Sequence, residues 1–331
     1  MKSILTFLSF FYRSGSRFMR FLYEKNIKKQ RSAPIPVISI GNITFGGSEK
    51  TPLCIKLIQI LLERGYKPAY ISRGYKGKWE KRGGMVIPED NQTPDWRTTG
   101  DEAYMTALNV PEVGIFLGKN RILSCLNACK KGYDVAVLDD GFQYHPLKKD
   151  LDIVLPAISK KKPLRESLST LKKAHIVLLK KNFPEENKAE LKSSLQGISV
   201  YEYSVSSKGF VKMGTNLLLG TGRFKQKRIL AFCGIAHSQR FKKTLEEMGI
   251  RPAAFLKFPD HYDYPLKSIN KILEKHRLFN TDVLVTTEKD SVKLDGIPRL
   301  ENMPVYYVKI DLNIEQGFFD RIFSSINTQK Q

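Results

Sequence analysis

The stretch Val37-Ile-Ser-Ile-Gly-Asn-Ile-Thr-Phe-Gly-Gly-Ser-Glu-Lys-Thr-Pro-Leu-Cys54 decides the fold. Its first four residues form a short β-branched run that ends in Gly41-Asn42, the pattern of a buried strand entering a loop. From Cys54 to Arg64 apolar residues recur at helical spacing, and Gly65 stops them. Strand, glycine-rich loop and helix in this order aim backbone N–H groups and a helix N-terminus at phosphate oxygens. Lys50 would then reach the β- and γ-phosphates and the Thr51 hydroxyl would bind Mg²⁺. The strict pattern GxxxxGK(S/T) is broken, because it requires glycine at 44 and 49, where this chain has Thr44 and Glu49. Taken alone, the segment also reads as an ordinary glycine turn.

Working outward, Ala69-Tyr-Ile-Ser72 reads as a second strand. Val113 to Leu117, Val135 to Leu138 and Ile153 to Leu155 read as buried strands, with a helix from Ile122 to Lys131. Alternating strands and helices imply an α/β fold: a P-loop NTPase-like parallel sheet flanked by helices on both faces. Val135-Ala-Val-Leu138 runs into Asp139-Asp140, the physical form of a Walker B site, in which an aspartate at a strand's C-terminal end helps hold Mg²⁺. A turn capped by two aspartates is the plain alternative. Leu191 to Lys227 shows short alternating patterns and reads as an antiparallel connector. A strand over Arg228 to Cys233, a helix over Ser238 to Met248 and a strand over Val283 to Thr286 then give a second, smaller α/β domain. The expected organisation is an N-terminal helix at 1–30, a P-loop kinase core at 31–195, a connector at 196–227 and the smaller domain at 228–331.

The chain has 331 residues, enough for two domains, with 55 Lys and Arg against 33 Asp and Glu. A formal charge of +22 suits an anionic partner: nucleic acid, anionic lipid or a phosphorylated substrate. No recognised nucleic-acid motif accompanies the charge, so no nucleic-acid partner is expected. Four cysteines without CxxC spacing indicate neither a disulfide framework nor a zinc site, and Cys125 and Cys129 read as one buried helix face. At the N-terminus the apolar run Ile4 to Tyr12 is about half the length needed to span a bilayer. Phe and Leu interleave there with Arg13, Arg17 and Arg20, and Lys25, Lys28, Lys29 and Arg31 follow, which fits an interfacial helix on an anionic membrane surface. A helix packed on the protein's own core is the alternative.

Gly41-Asn42, Gly46-Gly47 and Lys50-Thr51-Pro52 are followed in order by Ser72-Arg73-Gly74-Tyr75, Gly100-Asp101-Glu102 and Leu138-Asp139-Asp140-Gly141-Phe142-Gln143. Pro163-Leu164-Arg165-Glu166 and Thr286-Thr287-Glu288-Lys289-Asp290 complete the series. It resembles the tetraacyldisaccharide 4'-kinase, or lipid A 4'-kinase, family from about residue 5 to about residue 325. The resemblance implies ATP- and Mg²⁺-dependent phosphorylation of the 4'-hydroxyl of a lipid A disaccharide precursor, a tetraacylated glucosamine disaccharide 1-phosphate. It implies a peripheral or monotopic protein at the cytoplasmic face of the bacterial inner membrane. It also implies Asp101 as general base, oriented by His261, with Lys50 acting on the transferred phosphoryl group.

By the same resemblance, Gly46, Gly47, Ser48, Glu49, Lys50, Thr51, Arg121 and Arg165 would hold the nucleotide. Thr51, Asp139, Asp140, Gln143 and Glu166 would lie at the metal, and Asn42 and Tyr75 at the disaccharide. The bland readings are a surface loop for His261, a solvated helix turn for Arg165 and Glu166, a surface charge for Arg121, a polar turn for Gln143 and a half-buried aromatic for Tyr75. Two departures from the family stand out: Glu49 replaces a glycine, and the stretch between Ile153 and Pro163 lacks a longer glycine-rich insert, carrying Ile158-Ser-Lys-Lys-Lys-Pro163 instead. A carboxylate at the mouth of the loop is expected to repel phosphate, so that Glu49→Gly tightens ATP binding. The rival functions are a degenerate nucleotide- or lipid-binding protein without turnover, and a kinase for a different membrane acceptor.

Overall fold

A computed structural model of the chain describes residues 14–44, 49–90, 94–157, 164–183, 188, 191, 193 and 195–327. They divide into two compact units, the first drawn from residues 1–204 and 312–331 and the second from residues 205–311.

In the first unit α1 (residues 14–24) precedes β1 (Val37–Gly41), α2 (Lys50–Glu63), β2 (Pro68–Ser72) and β3 (Gly84–Val86). There follow α3 (Asp101–Asn109), β4 (Gly114–Leu117), α4 (Arg121–Lys130), β5 (Val135–Asp139), β6 (Leu151–Val154), β7 (Ile176–Lys180) and the start of β8 (Ser199–Lys212). The strand order is β8-β7-β6-β1-β5-β2-β4-β3. Every pair is parallel except β3 with β4 at the edge. Each residue of β1, β2 and β5 is buried, which is why these strands are continuous apolar runs with no alternation. Each fully buried Val, Ile or Leu in them contributes about 1.5–3 kcal/mol.

On one face Val37, Ala69, Ile71, Ala136 and Leu138 pack against Cys125 and Ala128 of α4, so Cys125 is a core residue. Ile43, Phe142, Val154, Val177 and Leu179 form another cluster with Leu171 and Phe183. Among the described residues no group of three or more His, Cys, Asp and Glu side chains is placed to hold a metal by itself.

The expected antiparallel connector is corrected in its first half. Ser199 to Tyr203 lie beside Ile176 to Lys180 in parallel register, because β7, a run absent from the sequence reading and apolar up to Lys180, needs a neighbour. Only further along does β8 meet β9 (Leu218–Leu219) in antiparallel pairing.

The second unit contains β10 (Ile229–Cys233), α5 (Ser238–Glu247), β11 (Ala254–Lys257), α6 (Leu266–Leu278), β12 (Val283–Thr287), α7 (Glu288–Leu294) and most of β13 (Val305–Ile314). The strands β11-β10-β12-β13 run parallel. The chain passes out of the first unit within β8 and back into it within β13. It then forms α8 (Phe318–Asn327), whose Phe318 meets Tyr201 edge to face and whose Phe323 stacks on Tyr66. Among the described residues no helix is long and apolar enough to cross a membrane.

Candidate functional site

The strand order places the site. The chain leaves β1 through α2 and returns as β2 two positions away, so β5 lies between them and β6 lies on the other side of β1. Strand order reverses at β1, and the crevice at the strand C-termini beside such a reversal is where α/β sheets bind ligands. Ile40 of β1 is in register with Asp139 of β5. The β1 exit passes so close to the β5 exit that a Cβ on Gly41 would stand 2.4 Å from that of Phe142. Only glycine permits that approach.

Asp139 is 2% exposed and its Oδ2 accepts from the Thr51 hydroxyl at 2.9 Å and from the Tyr70 hydroxyl at 2.7 Å. Its Oδ1 is buried with no hydrogen-bond partner among the described residues. Burial, reinforced by the Glu102 charge and opposed by Lys50, pushes the Asp139 carboxyl up to about 6. Its neighbour Asp140 goes the other way. Burial would raise that carboxyl, but the Lys50 ammonium at 3.3 Å and the Arg165 guanidinium, whose Nη1 donates at 3.0 and 2.9 Å, hold it well below the usual carboxylate range. Asp140 reaches these cations from a left-handed backbone, φ 52°.

Glu49, just before α2, is also left-handed, with φ 56°. The carboxylate is engaged by two groups: Lys180 Nζ, at the end of β7, lies 3.2 Å from Oε1, and the Tyr203 hydroxyl donates to Oε2 at 3.3 Å. Gly46, Gly47 and Ser48 lie outside the described residues.

Asn42 is buried; its carbonyl accepts from Gln143 Nε2 at 2.7 Å and its Oδ1 from Arg165 Nη1 at 3.5 Å. Arg121 stacks on Tyr144 with 4.7 Å to the ring centroid. Burial lowers its guanidinium pKa, while Tyr144, Asp140 and Asp139 oppose that shift. Asp101, 4% exposed, opens α3 and accepts from the Glu102 backbone N–H at 2.9 Å, a favoured place for a carboxylate. Tyr75 is exposed, and its carbonyl comes within 2.9 Å of where a Cβ on Gly100 would stand, next to Asp101. Glu166 is 4% exposed and faces α1: Ser16 Oγ donates to Oε1 at 2.7 Å and Arg20 Nη2 to Oε2 at 2.8 Å. His261 belongs to the second unit, where Lys289 Nζ lies 3.3 Å from its Nε2.

The structure thus gathers two adjoining bonded groups, Thr51 with Asp139 and Lys50–Asp140–Arg165–Asn42–Gln143, with Arg121 in electrostatic range. Tyr70, Lys180, Tyr203 and Arg20 were not read from the sequence as site residues. For Tyr70 a signal existed, since a tyrosine inside an otherwise apolar buried strand needs a polar partner for its hydroxyl. The two groups can offer two cations to an anion and hard oxygen donors to a divalent cation.

A parallel sheet with this loop, lysine and strand-end aspartates defines a phosphotransferase of the P-loop class. The family model for tetraacyldisaccharide-1-P 4'-kinase matches residues 1–327. The tetraacyldisaccharide 4'-kinase of Syntrophus aciditrophicus is 32% identical over 340 residues, covering 94% of this chain and 89% of its own. That of Aquifex aeolicus is 30% identical over 327 residues, covering 96% of each chain. The crystal structure of LpxK from Aquifex aeolicus in complex with ATP matches with a TM-score of 0.75 at 27% identity, over 99% of this chain and 98% of that one. The chain belongs to the tetraacyldisaccharide-1-P 4'-kinase family.

Proposed function

We propose that this chain transfers the γ-phosphoryl group of ATP to the 4'-hydroxyl of a tetraacylated glucosamine disaccharide 1-phosphate. The observation that carries the reading is the meeting of Lys50 and Thr51, at the start of α2, with Asp139 and Asp140 at the end of β5. Lys50 and Arg165 are both held on Asp140, and the phosphate oxygens of a nucleotide would compete for the same two cations. Lys50 would then stabilise charge on the phosphoryl group in transfer.

The open Asp139 Oδ1 and the Thr51 hydroxyl suit magnesium, a hard cation that prefers oxygen donors. When bound, magnesium supplies charge neutralisation at the phosphate oxygens. Gln143, whose Nε2 donates to the Asn42 carbonyl, could offer its amide oxygen, whereas Glu166, tied to α1 through both carboxylate oxygens, would join it only by changing partners. Asp101 takes the proton of the sugar hydroxyl as its oxygen bonds to phosphorus and ADP leaves, a step in which the resemblance gives His261 the supporting role.

For the acceptor, α1 offers an apolar face. Phe18 is 60% and Phe21 47% exposed on one side of the helix, while Ser16 and Arg20 fasten the other side to Glu166. Arg17, Lys25, Lys28, Lys29 and Arg31 are exposed around it. Aromatic side chains ringed by cations suit an anionic leaflet, here the cytoplasmic face of the inner membrane, where an acylated substrate would lie. Incubating the purified chain with radiolabelled ATP, Mg²⁺ and the tetraacyl disaccharide 1-phosphate in detergent tests the reading. A labelled bisphosphorylated lipid is expected, and label released only as inorganic phosphate would count against it.

A further inference from the structure

Within the second unit two segments are hung on one joint. The Asp290 carboxylate, fully buried in α7, accepts from the Gly234 backbone N–H at 3.0 Å and from the Thr287 hydroxyl at 2.6 Å through Oδ2. The Gly234 carbonyl in turn accepts from the His261 backbone N–H at 3.1 Å. The joint is tight: a Cβ on Gly234 would stand 3.0 Å from the Pro259 carbonyl oxygen and 3.1 Å from Asp290 Oδ1. Thr287 caps α7 by accepting from the Asp290 N–H at 3.2 Å, and Glu288 is ion-paired with Lys309. Lys289 therefore leaves a helix turn fixed on both sides, and His261 leaves a loop fixed to the same turn. Their side chains meet with Nζ 3.3 Å from Nε2.

An ammonium has three donors and no acceptor, so a contact at Nε2 uses that nitrogen's lone pair. The proton of the neutral imidazole then sits on Nδ1. We propose that Lys289 is a positioning residue that fixes His261 in the Nδ1–H tautomer, so that Nδ1 is the nitrogen with a proton to donate. This rests on the reading above, in which His261 supports the general base, and it names the nitrogen that would donate there. A metal-binding or proton-donating histidine is ordinarily set in this way, by the bond its second nitrogen makes.

Two-bond ¹H–¹⁵N correlation of the histidine side chains in the full-length chain tests the assignment. The signals of His261 are identified by their loss in His261→Ala, and the other four histidines report whether each variant is folded. The native protein is expected to show Nδ1–H at His261. Lys289→Met is expected to move the proton to Nε2, and Lys289→Arg to retain it on Nδ1. In turnover, Lys289→Met should lower kcat about tenfold or more with KM for ATP unchanged, and Lys289→Arg should recover most of it. An Nε2–H signal in the native protein, or a tautomer unmoved in Lys289→Met, overturns the inference while leaving the role of His261 standing. Unchanged turnover in His261→Ala removes that role, and the kinetic half of the inference with it.

Discussion

Glu49 adopts a left-handed backbone that a β-carbon resists by about 1–2 kcal/mol, in the place where a glycine would adopt it freely. The repulsion expected between its carboxylate and bound phosphate is met by Lys180 and the Tyr203 hydroxyl, which neutralise the carboxylate and draw it toward the end of β7. The compensation sits in Lys180, so Lys180→Met should weaken ATP binding about tenfold, the scale of one charge-assisted bond. Glu49→Gly added to it should restore most of the loss. Calorimetry on both single variants and the double variant checks this, and a full loss that persists in the double variant would show that Lys180 acts on ATP directly.

Asp139 gives a pH signature at the same scale. Its folded pKa of about 6 lies above the ordinary 3.8, so between those values the folded chain binds more protons than the unfolded one. The stability this carboxyl contributes is complete below the lower value and is lost as pH rises through the upper one. Asp139→Asn keeps an acceptor for Thr51 and Tyr70 without the charge. It should match the native chain near pH 4 and exceed its stability near pH 7 by about 2–3 kcal/mol. Magnesium and the proton compete for this carboxylate, so Mg²⁺–ATP affinity should rise more steeply from pH 5 to 7 in the native chain than in the variant, where only the nucleotide's own phosphate titrates. A difference in melting temperature that does not change with pH would refute the shifted carboxyl.

At the scale of elements, α1 has a fastened side and an open side, and the two can be separated by mutation. Replacing Phe18 and Phe21 by serine removes the exposed rings and leaves Ser16 and Arg20 on Glu166. Sedimentation with anionic liposomes should fall severalfold while ATP binding is kept, since each ring contributes about 1.5–3 kcal/mol when buried in an apolar phase. Equal sedimentation would place the membrane contact elsewhere on the basic surface. Arg20 shows how far elements were legible in the sequence. The strands β1, β2, β4 and β5 could be read as unbroken apolar runs. What could not be read were contacts between distant positions: Arg20 meets Glu166 across 146 residues, Lys180 meets Glu49 across 131 and Tyr203 meets Glu49 across 154. Pattern carries no information at that range. Glu166, read from the resemblance as lying at the metal, is found holding α1 for the same reason.

For the whole molecule, the proposed acid–base pair is divided between the units: Asp101 opens α3 of the first, and His261 lies on a loop of the second. The chain joins these units twice, within β8 and within β13. If the carboxylate and the imidazole act as one base, removing either disables the proton transfer, and removing the other then has little left to affect. General-base assistance contributes about a hundredfold to ten-thousandfold in rate. Asp101→Ala and His261→Ala should each lower kcat within that range, and the double variant should be no more than about threefold worse than the worse single one. KM for ATP should stay level in all three, because neither residue belongs to the Lys50–Asp140–Arg165 group that would meet the nucleotide. Steady-state kinetics at saturating lipid acceptor decides the matter. Losses that multiply would mean that the two residues serve separate steps, and His261 would then be a substrate-positioning group of the second unit rather than the partner of Asp101.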